Sequence, residues 1–147
     1  MAVRIAIGCD PNAASLKKIL MKDLEAEGYE VDDYGSEDPV YANVAIAVAE
    51  AVAAKRADRG LLVCGTGIGM SIAANKVSGA LAALVSDTYS AERAARSNNA
   101  NIVCMGAFTI GVEVARRCLK VWLNSEFDWE SRSAPKVRRY MEYDQNR

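Results

Sequence analysis

Histidine is absent from this chain of 147 residues, although it is the side chain that most often moves protons at neutral pH. Acid–base chemistry here must therefore use cysteine, aspartate, glutamate, lysine, tyrosine or bound water. The four cysteines have no Cys-x-x-Cys spacing, and without histidine they do not predict a zinc site. We accordingly expect no metal and no other cofactor.

Long apolar runs and an excess of one charge are also missing. The chain has no stretch of about 18 apolar residues that would cross a membrane, and its first residues lack the pattern of a signal peptide. Its 18 basic and 19 acidic residues balance, whereas nucleic-acid binding favours a basic excess. We expect a cytoplasmic protein that binds neither membranes nor nucleic acids.

A regular alternation of strands and helices runs through the chain. Five apolar runs predict strands, over residues 3–9, 29–35, 60–64, 81–86 and 101–106. Nearly continuous apolar strands that alternate with helices are typical of a parallel sheet covered on both faces. We predict a single α/β domain over residues 1–147, a Rossmann-like, doubly wound α/β/α sandwich with five parallel strands in the order 2-1-3-4-5.

Two of the predicted helices bear on the argument below. One is rich in alanine and covers residues 41–55, and the other begins near Ser133 at the end of the chain. The apolar residues of the first helix predict its buried side, with these candidates: Val44, Ile46, Val48 and Val52.

The most informative stretch follows the third strand and reads Cys-Gly-Thr-Gly-Ile-Gly-Met over residues 64–70. Alternating glycines that open a helix present backbone N–H groups to an anion. The stretch is no Walker A loop, because no Gly-Lys-Ser/Thr follows, and Met70 replaces the third glycine of the dinucleotide fingerprint. Cys64 adds a thiol that can act as nucleophile or base. The alternative is a tight turn without a chemical role.

The carboxyl ends of the strands are the expected ligand-binding edge of such a sheet. Asp10 follows the first strand and Cys64 ends the third, so we expect these two side chains to be neighbours. Cys104 and Cys118 lie inside apolar runs, and we interpret both as small buried side chains.

Segments along nearly the whole chain resemble the RpiB/LacAB sugar-phosphate isomerases, which include ribose-5-phosphate isomerase B. The stretch over residues 64–76 is the most specific of them. In chain order the matching segments are Ile5–Asp10, Pro39–Ala42, Cys64–Lys76, Tyr89–Ala91, Asn98–Asn101 and Trp122–Leu123.

The resemblance implies an aldose–ketose isomerase that works through a cis-enediolate, without metal or nucleotide. By similarity, Cys64 is the base that moves a proton between C1 and C2, and Thr66 and Asp10 complete the catalytic set. The backbone N–H groups near Cys64 are expected to hold the oxyanion. Residues expected to bind substrate are Tyr41, Gly65, Gly67, Gly69, Ser97, Asn98, Arg132 and Lys136. For Thr66, the alternative is a hydroxyl that only bonds its own turn.

Two substitutions separate this chain from most of the family. Pro11 and Ser97 stand where histidines are expected, and the second histidine is the group that opens a furanose ring. A tetrose 4-phosphate forms no furanose, so the sequence favours the pair erythrulose 4-phosphate and erythrose 4-phosphate. The alternatives are ribose 5-phosphate with ribulose 5-phosphate, and a sugar-phosphate-binding subunit without catalytic activity.

The resemblance also predicts a phosphate clamp and a partner subunit. Arg132 and Lys136 match the family's phosphate-binding cations, and the alternative is a solvated basic surface with Arg138 and Arg139. Phe108 replaces a further family arginine, which weakens that expectation. We expect a homodimer or a dimer of dimers with shared active sites, in which the helix from about residue 133 packs on the partner.

Overall fold

A computed structural model describes residues 2–147, and its centre is one five-stranded parallel sheet. Every pair of neighbouring strands is parallel, and helices cover both faces. This confirms the predicted α/β/α sandwich. The strands are β1 Arg4–Cys9, β2 Glu30–Asp33, β3 Arg59–Cys64, β4 Ala82–Leu84 and β5 Ile102–Gly106.

The order of the strands is β2-β1-β3-β5-β4, so the predicted order 2-1-3-4-5 is wrong at its last two positions. β5 pairs with β3 from Gly60↔Ile102 to Cys64↔Gly106, and β4 lies outside β5. All five residues of β5 are buried, whereas the three residues of β4 are not. A strand that is buried throughout needs a neighbouring strand on both sides. A short, partly exposed strand is suited to the outermost position of a sheet.

The helices divide between the two faces of the sheet, and each face has its own apolar cluster. Helices α1, α4 and α5 pack on one face, and α2 and α3 pack on the other. A single 3-10 turn, Pro11–Ala13, precedes α1. The helices are α1 Ala14–Ala26, α2 Tyr41–Ala53, α3 Ile68–Ala74, α4 Thr88–Arg96, α5 Val112–Leu123 and α6 Ala134–Gln145.

Helix α2 buries a narrower stripe than its composition predicts. Val44, Val48 and Val52 recur at four-residue spacing and are at most 6% exposed. Ile46 was expected on the same side, but it is 38% exposed. At 100° per residue it lies on the far side of the helix from Val44, so that prediction was wrong.

Helix α6 begins directly after Ser133, as predicted, and lies across the amino ends of the strands. Its Val137 is fully buried, and the Asp144 carboxylate accepts a hydrogen bond from the N–H of Gly79 at 2.7 Å. The Tyr140 hydroxyl donates to the carbonyl of Asn98. Packing of this helix on a second subunit stays a prediction. Within residues 2–147, no helix is long and apolar enough to span a bilayer.

Candidate active site

Cys64 is the last residue of β3, and a three-residue turn joins it to α3. Gly67 takes a φ of 80° at the end of this turn, in the left-handed region where glycine has no Cβ penalty. The turn brings the N–H of Gly67 to 3.1 Å from the Cys64 Sγ atom, which accepts its hydrogen bond. Cys64 is only 5% exposed and lies at the carboxyl edge of the sheet.

The first turn of α3 supplies further donors beside this thiol. Within the described residues, the N–H groups of Gly69 and Met70 have no hydrogen-bond acceptor, as is usual at the start of a helix. The N–H of Ile68 donates to Thr66 Oγ1 at 3.3 Å. The Thr66 hydroxyl thus accepts a hydrogen bond within its own turn, which is the alternative role predicted for it. It donates no hydrogen bond to another group in residues 2–147. The loop can therefore donate to an oxyanion from several directions.

Asp10 lies next to this loop, as the sequence predicts. Its N–H donates to the carbonyl of Val63 at 3.2 Å, one residue before Cys64. Its carboxylate accepts from the N–H of Asn12 at 3.1 Å and caps the 3-10 turn that contains Pro11. The carboxylate is only 8% exposed, so the cap fixes its position beside the loop.

Tyr41 reaches the loop from the opposite side, as the first residue of α2. A Cβ on Gly69 would lie 2.2 Å from the Tyr41 hydroxyl oxygen, so only glycine allows this tyrosine to rest on the first turn of α3. The Tyr41 side chain is 39% exposed. Its phenol is therefore available to a ligand held above the loop.

The other three cysteines differ from Cys64 in their surroundings. Cys9, Cys104 and Cys118 are fully buried, which confirms the interpretation of the last two. Burial raises the pKa of the Cys9 thiol to about 11, and burial also raises the pKa of Cys104 and of Cys118. These thiols are neutral at neutral pH. Cys64 is the one thiol in residues 2–147 that accepts a hydrogen bond from a backbone N–H.

The remaining predicted site residues lie at the other edge of the sheet. Ser97 and Asn98 follow the end of α4 and lead into the amino end of β5. Arg132 and Lys136 are exposed at the start of α6, which crosses the same edge. β3 has six residues, so roughly 16 Å of strand lies between its two edges. One chain therefore does not bring these four residues to Cys64.

One neighbour of the loop was not predicted as a site residue. The ring of Phe108 lies against Gly65, and the N–H of Phe108 donates to the carbonyl of Gly65 at 2.9 Å. The sequence signal was its place two residues after β5, at the same edge as Cys64. No three of the Cys, Asp or Glu side chains in residues 2–147 cluster in a way that would hold a metal ion.

Known proteins resemble this chain over nearly its whole length. A family model described as Ribose/Galactose Isomerase matches residues 5–140. D-erythrulose-4-phosphate isomerase 2 of Mycolicibacterium smegmatis is 47% identical over 98% of this chain and 99% of its own length. Ribose-5-P isomerase B of Listeria innocua is 46% identical over 97% and 98%. The structure of ribose-5-phosphate isomerase B from Clostridium thermocellum superposes with a TM-score of 0.92, at 37% identity over 98% and 99%.

Proposed function

The chain belongs to the ribose/galactose isomerase family and is a sugar-phosphate isomerase, and we propose that it interconverts erythrulose 4-phosphate and erythrose 4-phosphate. The observation that carries this choice is the complete absence of histidine. Opening a furanose needs a proton donor and acceptor that work near neutral pH, and serine at position 97 is neither. A tetrose 4-phosphate has its C4 oxygen esterified, so it stays open and needs no such group.

Cys64 is the proposed base. Its thiolate removes a proton from C1 of the ketose or C2 of the aldose, and the electrons of that C–H bond form a C1=C2 double bond. The π electrons of the carbonyl group move onto its oxygen to give the enediolate, and the proton returns to the other carbon. The N–H of Gly67, 3.1 Å from Sγ, stabilises the thiolate before the transfer. A thiol with its donor already in place needs little rearrangement to react.

The negative charge that develops on the enediolate needs donors of its own. The N–H groups of Gly69 and Met70 have no acceptor in residues 2–147 and suit this role. Protons must also move between O1 and O2 during isomerisation. The Thr66 hydroxyl and the buried Asp10 carboxylate are the groups that we propose for this transfer, because both lie beside the loop of Cys64.

The phosphate requires cations, and we propose that a second copy of the chain provides them. The predicted clamp, Arg132 and Lys136, lies at the amino edge, remote from Cys64 of the same chain. Asn98 lies at that edge too. In an assembly in which the amino edge of one copy faces the carboxyl edge of the other, these three residues of one copy would lie near a substrate that is bound at Cys64 of the other. We therefore propose that the protein forms a homodimer or a dimer of dimers, in which each active site contains residues from two subunits.

Ribose 5-phosphate is the second candidate substrate. The relative named ribose-5-P isomerase B is 46% identical to this chain, almost as similar as the relative named for erythrulose 4-phosphate at 47%. Isomerisation of a pentose would require the open-chain form from solution, or ring opening by Asp10 and Thr66.

The test is to follow each sugar phosphate by proton NMR in D₂O with the purified protein. Deuterium at C1 of erythrulose 4-phosphate and at C2 of the erythrose 4-phosphate formed from it, without comparable turnover of ribose 5-phosphate, is the expected result. Comparable turnover of both would remove the preference for a tetrose. A folded protein that binds a sugar phosphate but exchanges no proton would instead support the subunit without catalytic activity.

A further inference from the structure

Phe108 is a large apolar side chain for which the proposed chemistry has no use. It is 72% exposed, so it contributes little to either core cluster. Two carbons of its ring lie 3.1 Å from the place of a Cβ on Gly65, so the ring covers the residue that follows Cys64. An exposed aromatic ring at the rim of a reactive loop is placed to touch what that loop binds.

The backbone fixes the ring relative to the thiol. The N–H of Ala107 donates to the carbonyl of Cys64 at 2.8 Å, and the N–H of Phe108 donates to Gly65 at 2.9 Å. Gly106 lies so close to Thr66 that a Cβ would be 2.6 Å from the Thr66 Cα atom. Backbone contacts thus hold the segment after β5 against the loop after β3, and the ring of Phe108 stands over Gly65.

We propose that Phe108 is a specificity-determining residue that restricts the site to a four-carbon chain, an inference that rests on the proposed function. The reacting carbons lie at Cys64 and the phosphate lies at the cations of the second copy, so both ends of the substrate are fixed. A five-carbon sugar phosphate must bow between these points. The ring fills the space beside Gly65 into which it would bow.

The chemistry of the ring strengthens this selection. The extra carbon of a pentose carries a hydroxyl. On binding, this hydroxyl would exchange its contacts with water for contacts with the face of an aromatic ring. That face accepts no ordinary hydrogen bond, so the hydroxyl would lose its partners on binding. A tetrose has no hydroxyl at that position and meets no such cost.

The test compares Phe108→Ala and Phe108→Leu with Val114→Ala, which truncates another exposed apolar side chain, on α5. The readout is the ratio of kcat/KM for ribose 5-phosphate to that for erythrulose 4-phosphate. We expect this ratio to rise about tenfold or more in Phe108→Ala, by less in Phe108→Leu, and not at all in the control.

Three results would overturn the inference, and they separate it from the proposed function. If the unmodified protein isomerises the tetrose and Phe108→Ala leaves the ratio unchanged, only the role of Phe108 is wrong. If Phe108→Ala changes the mass of the assembly in solution, the ring is a subunit contact instead. If the unmodified protein does not isomerise the tetrose, the proposed function fails and this inference fails with it.

Discussion

The carboxyl edge of the sheet holds Cys64, Asp10 and Thr66, whereas the amino edge holds Arg132 and Lys136. The first set can move protons and bind an oxyanion, but it includes no cation for a phosphate. The second set can bind a phosphate but includes no base. Each edge therefore lacks what the other has, which is the pattern expected when a site is completed by a second copy.

The two edges also differ in how closely they are packed. At the carboxyl edge, glycines let a loop, a helix and Tyr41 meet with no spare room. At the amino edge, a cavity of about 410 Å³ lies under α6. The guanidinium of Arg59, which lines this cavity, already donates to the carbonyls of Trp122 at 2.7 Å and Ser125 at 2.9 Å. This cavity is therefore a weaker candidate for the active site than the carboxyl edge, since its Arg59 stabilises the fold.

Removal of the proposed base, Cys64, should have the largest effect on activity. Cys64→Ala should lower kcat by about 10²–10⁴-fold, the usual contribution of a positioned general base. Cys104→Ala is the matched control, because Cys104 is also buried and lies in the same apolar cluster. Deuterium incorporation from D₂O during isomerisation, followed by NMR, measures both. If Cys64→Ala turned over at the normal rate, the base would have to be another group.

Mixed assemblies test whether the two edges of different chains form one site. Cys64→Ala disables the carboxyl edge, and Arg132→Glu reverses the charge at the amino edge. When both variants are co-expressed in equal amounts, half of the dimers are mixed and one of their two sites is intact, so about a quarter of normal activity should return. If every chain carries its own complete site, the mixture will be no more active than the average of its parents.

A single cation of the clamp should have a smaller effect. Arg132→Ala should raise KM more than about tenfold, because the loss of a charge-assisted hydrogen bond costs on the order of 1.5–3 kcal/mol. Arg138→Ala is the control, since Arg138 lies on α6, a few residues beyond Arg132, but stacks over Trp129 at 5.4 Å. Steady-state kinetics with the preferred sugar phosphate compares them. An unchanged KM in Arg132→Ala would assign Arg132 to the solvated surface.

The carboxyl edge could be predicted from sequence because its parts are local. Residues 64–70 are consecutive, and their glycines and cysteine fix the turn with little help from the rest of the chain. Asp10 and Tyr41 come from elsewhere in the chain, and the pairing of β1 with β3 brings Asp10 there. That pairing is unaffected by the exchange of β4 and β5, so the error in strand order did not reach the site.

The rest depends on contacts that a sequence pattern does not contain. Residues 81–86 and 101–106 both read as strands, and their order depends on which of them is buried on both sides. Ile46 is as apolar as its neighbours, but only packing decides which face of α2 meets the sheet. The distance between Arg132 and Cys64 follows from the path of α6 across the amino edge. Residues that the family resemblance assigns to one active site can therefore lie far apart within a single chain.

The smallest expected effect is a difference in folding stability between two ion pairs of β2. Lys17 Nζ donates to Asp33 at the carboxyl end of β2 at 2.7 Å, and the lysine side chain is 6% exposed. Arg4, at the amino end of β1, pairs with Asp32 of β2 at 2.8 Å, and both side chains are about 40% exposed. Burial alone would raise the pKa of Asp33, but the hydrogen bonds from Lys17 and from the N–H of Gly35 lower it overall.

A carboxyl group with a lowered pKa stabilises the fold above its unfolded pKa, about 3.9 for aspartate, and this stability is lost as the pH falls through the lower folded value. Asp33→Asn should therefore cost about 1–2 kcal/mol at pH 7, since it leaves a buried lysine without its partner while Asp33 itself is screened by water. Asp32→Asn should cost less than about 0.5 kcal/mol. Urea unfolding at pH 7 and pH 3 measures both. The deficit of Asp33→Asn should shrink at pH 3, and equal deficits at both pH values would show that the ion pair does not stabilise the carboxyl edge.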